Sequence, residues 1–98
     1  MKVSEITNKE VADYLRLEYA DLTADEKSEL DNLLAVAKKF IKSYTGLTNE
    51  SIDTHEDFYI VVMVLCQDMY DNRSYYVDKN NLNKVVETIL GMHSVNLL

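Results

Sequence analysis

The sequence predicts an all-α fold, a small single-domain bundle of about four helices spanning roughly 8–16, 24–45, 55–72 and 81–90. Three observations predict it. The chain has no proline, and its two glycines, Gly46 and Gly91, each stand where a helix would end. Leu30, Leu33, Leu34, Ala37, Phe40, Ile41 and Tyr44 recur at the i, i+3, i+4, i+7 spacing of one helical face. The segment Asp57–Arg73, DFYIVVMVLCQDMYDNR, is apolar without interruption from Phe58 to Cys66, so the other elements must cover it on most sides.

Taken in order, residues 1–6 form a short lead-in. Thr7-Asn8-Lys9-Glu10 fits a capping box, with Ile6 and Val11 as the hydrophobic staple, and opens a short helix that buries Val11, Tyr14 and Leu15. Residues 16–22 connect, with Leu17, Tyr19 and Leu22 partly buried. Thr23-Ala24-Asp25-Glu26 is a second capping box, and Asp25, Glu26 and Glu29 lie at the positive end of the following helix dipole. Lys38, Lys39 and Lys42 lie toward its negative end. Gly46 takes the C′ position, and Leu47 supplies the apolar contact of a Schellman motif.

Residues 47–54 read as a polar loop, with Thr54 capping the central helix and Asp57 at its N3 position. The β-branched run Ile60, Val61, Val62, Val64 also suits a buried strand. Length without Gly or Pro favours helix, and no other segment offers a strand to pair with. Residues 73–80 are a loop with two exposed tyrosines, Tyr75 and Tyr76. Asn80 or Asn81 caps a last helix bearing Leu82, Val85, Val86, Ile89 and Leu90, and Gly91 ends it.

Ninety-eight residues make one domain with a modest core. Seventeen acids against ten bases give a net charge of −7, which argues against a surface that grips duplex DNA, since that needs clustered Lys and Arg. An acidic surface suits the wall of a channel along which nucleic acid passes. The single cysteine, Cys66, sits in the apolar run and excludes an intramolecular disulfide. The start MKVSEITNKE lacks the apolar core of a secretory signal, and the longest apolar run is about half of the ~20 residues needed to span a bilayer. The expected setting is the cytoplasm, or a particle assembled there, with no membrane partner.

Candidate chemistry is sparse. His55-Glu56-Asp57 with Asp53 has the residue types of a metal cluster, but acids favour a helix start anyway, and capping is the preferred reading. Asp78-Lys79-Asn80-Asn81-Leu82 begins like a calcium loop and fails at Leu82 and at Asn83, where a ligand and a glycine are needed. Cys66 reads as a core thiol, and His93 as a surface histidine without a partner. Neither a phosphate-binding glycine loop nor a nucleophile–base set is legible, so the chain is read as a non-enzyme without cofactors. Arg73 pairs with Asp68 or Asp71, or with an acid of another subunit. Of seven tyrosines, Tyr14, Tyr44, Tyr59 and Tyr70 are assigned to the core or its edge. Tyr19, Tyr75 and Tyr76 lie in connectors and are the interface candidates.

The order of these pieces resembles a known family. A short helix ends in Tyr14-Leu15-Arg16, a long one in Tyr44-Thr45-Gly46, an apolar one in Tyr70-Asp71-Asn72-Arg73, and a short helix with paired valines follows. This resembles the head–tail connector (adaptor) proteins of tailed double-stranded DNA phages, also described as phage DNA-packaging proteins, over about residues 3–91. Two departures stand out: Gly91-Met92-His93 replaces a basic residue often found at the end of the last helix, and the acidic connector is diluted by Leu22-Thr23-Ala24. The resemblance implies a structural virion protein, assembled in the host bacterial cytoplasm. Its subunits form a ring, expected to be dodecameric, beneath the portal protein. The ring extends the DNA channel and receives the stopper or tail-completion protein, while DNA passes without specific binding. Under that reading the interface residues are Tyr19, Arg73, Tyr75, Tyr76, Met92, Val95, Leu97 and Leu98. The alternatives are a small acidic cytoplasmic helical adaptor or regulator acting by protein–protein contact, and a helix-turn-helix DNA binder, which the lack of a basic helix face disfavours.

Overall fold

The computed structural model describes residues 1–94. The fold is all-α: α1 (Asn8–Tyr14), α2 (Ala24–Thr45), α3 (Asn49–Asp53), α4 (Phe58–Asp71) and α5 (Lys84–His93), with three short 3-10 turns between or before them and no strand among the described residues. The β-branched run is therefore helical. α4 is the centre of the bundle. It packs chiefly on α2, next on α5, and touches α1 as well. Its Phe58, Val61, Val62, Met63, Leu65, Cys66 and Met69 are buried against Leu30, Leu33, Leu34, Ala37 and Ile41 of α2, Val11 and Ala12 of α1, and Val86 and Leu90 of α5. Each large side chain so buried contributes about 1.5–3 kcal/mol. The covering is not complete, because Ile60 is 42% exposed.

The ends of the elements differ from the sequence reading in physically specific ways. The lead-in is built into the core: Val3–Glu5 form a 3-10 turn, and Val3 and Ile6 are buried. Thr7 does not cap α1 through the N3 amide; its hydroxyl donates to the Glu10 carboxylate instead. The staple partners Ile6 and Val11 are nonetheless both buried. Within α1 it is Ala12, not Tyr14, that is fully covered, and Tyr14 lies on the surface. The capping box of α2 forms in both directions: Thr23 Oγ1 accepts from the Glu26 amide and Glu26 Oε1 from the Thr23 amide, each at 3.1 Å.

The segment 47–54 is not simply a loop. Thr48 Oγ1 accepts from the Ser51 amide at 3.2 Å and starts the single turn of α3, which buries Ile52. Thr54 therefore ends α3 rather than starting α4, its hydroxyl donating to the Ser51 carbonyl at 2.6 Å. The last helix is shifted toward the C-terminus. Asp78 caps a 3-10 turn over Lys79–Asn81, and Asn83, accepting from the Val85 amide at 2.8 Å, caps α5. Gly91 lies inside α5, which runs on to His93. A glycine costs an exposed helix only about 1 kcal/mol against alanine, so it marks no obligatory stop.

Three helix ends share one device. Arg16, Gly46 and Arg73 all adopt left-handed backbone, with φ of 61°, 73° and 53°. At Arg16 the Leu17 amide reaches the Ala12 carbonyl at 2.9 Å and the Arg16 amide reaches Asp13. At Arg73 the Ser74 amide reaches Met69 at 3.0 Å and the Arg73 amide reaches Tyr70. Both are Schellman motifs. Gly46, where that motif was expected, instead has the simpler left-handed cap: its amide bonds the Lys42 carbonyl at 3.0 Å, and the Leu47 amide bonds the Thr45 hydroxyl at 3.3 Å.

Candidate functional site

The predicted interface residues do not form one surface in isolation from the fold. Tyr19 is half-buried. Its hydroxyl donates to Asn8 Oδ1 at 3.0 Å, and Lys27 Nζ sits 4.4 Å from its ring centre, so it fastens the connector to α1 and α2. Arg73 forms no ion pair with Asp68 or Asp71 among the described residues; its guanidinium lies 5.8 Å from the Tyr70 ring. Tyr75 is exposed, yet its hydroxyl donates to Glu29 Oε1 at 2.7 Å and docks the loop on the first turns of α2. That bond to a carboxylate raises the Tyr75 hydroxyl above the usual tyrosine range. Tyr76 and Met92 are well exposed, at 67% and 68%. Val95, Leu97 and Leu98 lie outside the described residues.

Next to Tyr76 a polar cleft runs between the end of α4 and the segment leading to α5, lined by Asp68, Asn72, Ser74, Asp78, Asn81 and Asn83. Partial burial, with the like charge of Asp71 behind it, holds the Asp68 carboxyl above its ordinary range. Asp78, by contrast, is held below it by the side-chain amide of Asn81 and the backbone amide of Asn80. Cys66 is fully enclosed, and burial pushes its thiol up to about 12, which leaves it protonated and unreactive at neutral pH.

A second cluster was missed. His55 and Asp57 lie in the turn between α3 and α4, and His93 is the last residue of α5. His93 Nε2 and Asp57 Oδ2 are 2.9 Å apart, and the two imidazole rings stack with centroids 4.0 Å apart, both against Phe58. Asp57 does not cap α4 with its side chain, and His93 is not a solitary surface residue, which corrects both expectations. Asp53, grouped with His55 by sequence, turns away to accept from the Ser4 hydroxyl at 2.7 Å and its amide at 3.0 Å, bonds that hold its carboxyl low. The sequence signal is the His55-Glu56-Asp57 group, read as helix capping, and a second histidine, His93, near the end of the chain's last helix. Nothing in their spacing brings them together.

No family model, curated protein or solved structure matches this chain. No described helix is long and apolar enough to cross a membrane.

Proposed function

We propose that this chain is a structural head–tail adaptor of a tailed double-stranded DNA phage, a subunit of a portal-docked ring rather than an enzyme. One observation carries the reading. Tyr14-Leu15-Arg16, Tyr44-Thr45-Gly46 and Tyr70-Asp71-Asn72-Arg73, the three short strings behind the resemblance, each close a helix on a left-handed residue. Each string thus falls at a corner of the bundle, in the order in which the resemblance has them. The net charge of −7 fits a channel past which DNA slides without being held. Ring closure requires heterologous, head-to-tail contacts. The exposed Tyr76 and Met92, with the tail Val95, Leu97 and Leu98, are the side chains offered for them and for the portal.

Electron microscopy of the chain co-expressed with a portal protein of the phage it would belong to tests the proposal. Rings or caps of this chain on portal particles are the expected result, and removal of residues 94–98 should weaken that docking while leaving the helical circular dichroism intact. Small monomeric or dimeric particles that never join the portal would favour the cytoplasmic protein–protein adaptor instead. A shift of duplex DNA at low salt by the isolated protein would contradict both.

A further inference from the structure

We propose that His55, Asp57 and His93 form a binding site for a divalent first-row transition-metal ion of the zinc class, clipping the end of α5 to the start of α4. The ligand atoms these three residues can offer all lie within 4.8 Å of one another. Zinc binds imidazole nitrogen and carboxylate oxygen at about 2.0–2.2 Å, so two ligands on one tetrahedral ion stand roughly 3.3 Å apart. The His93–Asp57 separation of 2.9 Å is already of that order. The widest pair must close by about 1.5 Å at most to reach it, a movement that rotation of half-buried side chains provides. His93 and Asp57 side chains are 22% and 39% exposed, which leaves a path for an ion and a position for water as a further ligand.

The simpler arrangement, a His93–Asp57 hydrogen bond alone, accounts for two of the three residues. It leaves His55 unexplained. The chain has two histidines, and their rings lie together, tilted 35° with centroids 4.0 Å apart, although neither ring nitrogen of His55 has a hydrogen-bond partner among the described residues. Two imidazoles and a carboxylate converging from the start of α4 and the end of α5 are a donor set for zinc, cobalt, nickel or copper. Magnesium and calcium, which prefer oxygen ligands throughout, are poor matches. Phe58, fully buried beneath both rings, supplies the apolar floor that fixes their planes.

The test is calorimetric titration of the untagged full chain with Zn2+, together with the visible spectrum of its Co2+ complex. One equivalent should bind, the Co2+ spectrum should show nitrogen-containing coordination, and excess Mg2+ should not compete. His55→Gln is the decisive variant, because the His55 side chain makes no hydrogen bond among the described residues and its backbone bonds to Ile52 and Phe58 are kept. It and His93→Gln should each weaken Zn2+ binding by more than the ~10-fold that even an outer-shell partner is worth, and circular dichroism should show both variants folded. Zn2+ should raise the Tm of the parent chain and not of either variant. Absence of Zn2+ binding, or binding unchanged by His55→Gln, as scattered carboxylates would give, overturns the proposal.

Discussion

Thr45 tests whether the Tyr44-Thr45-Gly46 string is kept for stability or for contact with a partner. Its side chain is 1% exposed, its Oγ1 donates to the Ile41 carbonyl at 2.7 Å, and the same oxygen accepts from the Leu47 amide at 3.3 Å. Thr45→Val keeps the shape and removes the hydroxyl. The two hydrogen bonds contribute about 0.5–1.5 kcal/mol each. The Ile41 carbonyl retains its place in the helix ladder, so the Leu47 amide is the group left without a partner. A methyl in place of the hydroxyl returns about 0.8 kcal/mol of apolar burial. The net expectation is a loss of about 1 kcal/mol, or a Tm lowered by roughly 4–8 °C for a domain of this size. Urea denaturation measures the first and calorimetry the second. Amide hydrogen exchange localises the effect: the Leu47 amide should lose protection in Thr45→Val and keep it in Thr45→Ser. A Thr45→Val protein as stable as the parent, or more stable, would show that the hydroxyl does not hold this corner together.

Five further outcomes are expected. Arg16 carries a side chain in left-handed backbone at a cost of about 1–2 kcal/mol, so Arg16→Gly should stabilise the protein in urea titrations even after the ~0.5–1 kcal/mol penalty of glycine's freer unfolded chain. Arg73→Gly should be closer to neutral, because it also gives up the contact with the Tyr70 ring. The Cys66 thiol, raised to about 12 by burial, should resist Ellman's reagent at pH 8 in the native protein and react with one equivalent once guanidinium unfolds it. Glu10, Asp53 and Asp78 are held low, first by the side chains of Thr7, Ser4 and Asn81 respectively, so the unfolded chain binds more protons than the native one below the ordinary carboxylate range. Their stabilisation is present above that range and should be lost as pH falls below ~4. Asp68 runs the other way: its raised carboxyl makes stability fall as pH climbs through the interval between its ordinary and raised values, so Asp68→Asn should be more stable than the parent at neutral pH.

What the sequence made legible is local and repetitive. The heptad-like spacing of α2, its capping box and its Gly46 stop were all readable because each is written within a few residues and each has a single structural solution. The errors fall where two solutions compete. Thr48 and Thr54 are equally good caps by type, and which begins a helix depends on Ile52 finding the core. Asn80, Asn81 and Asn83 are likewise interchangeable as caps; packing of Val86 and Leu90 against α4 selects Asn83. Arg16 and Arg73 carry no stop signal at all, since an arginine in left-handed backbone is imposed by the chain leaving the bundle rather than by its own preference. The His55–Asp57–His93 cluster was out of reach for a stronger reason. Its members are local to nothing but the packed bundle: α5 must lie on α4, and α5 must run past Gly91, before His93 can reach Asp57. A reading that ends the last helix at Gly91 leaves His93 in a tail with no defined position. Ending that helix at Gly91 therefore removes the cluster from view.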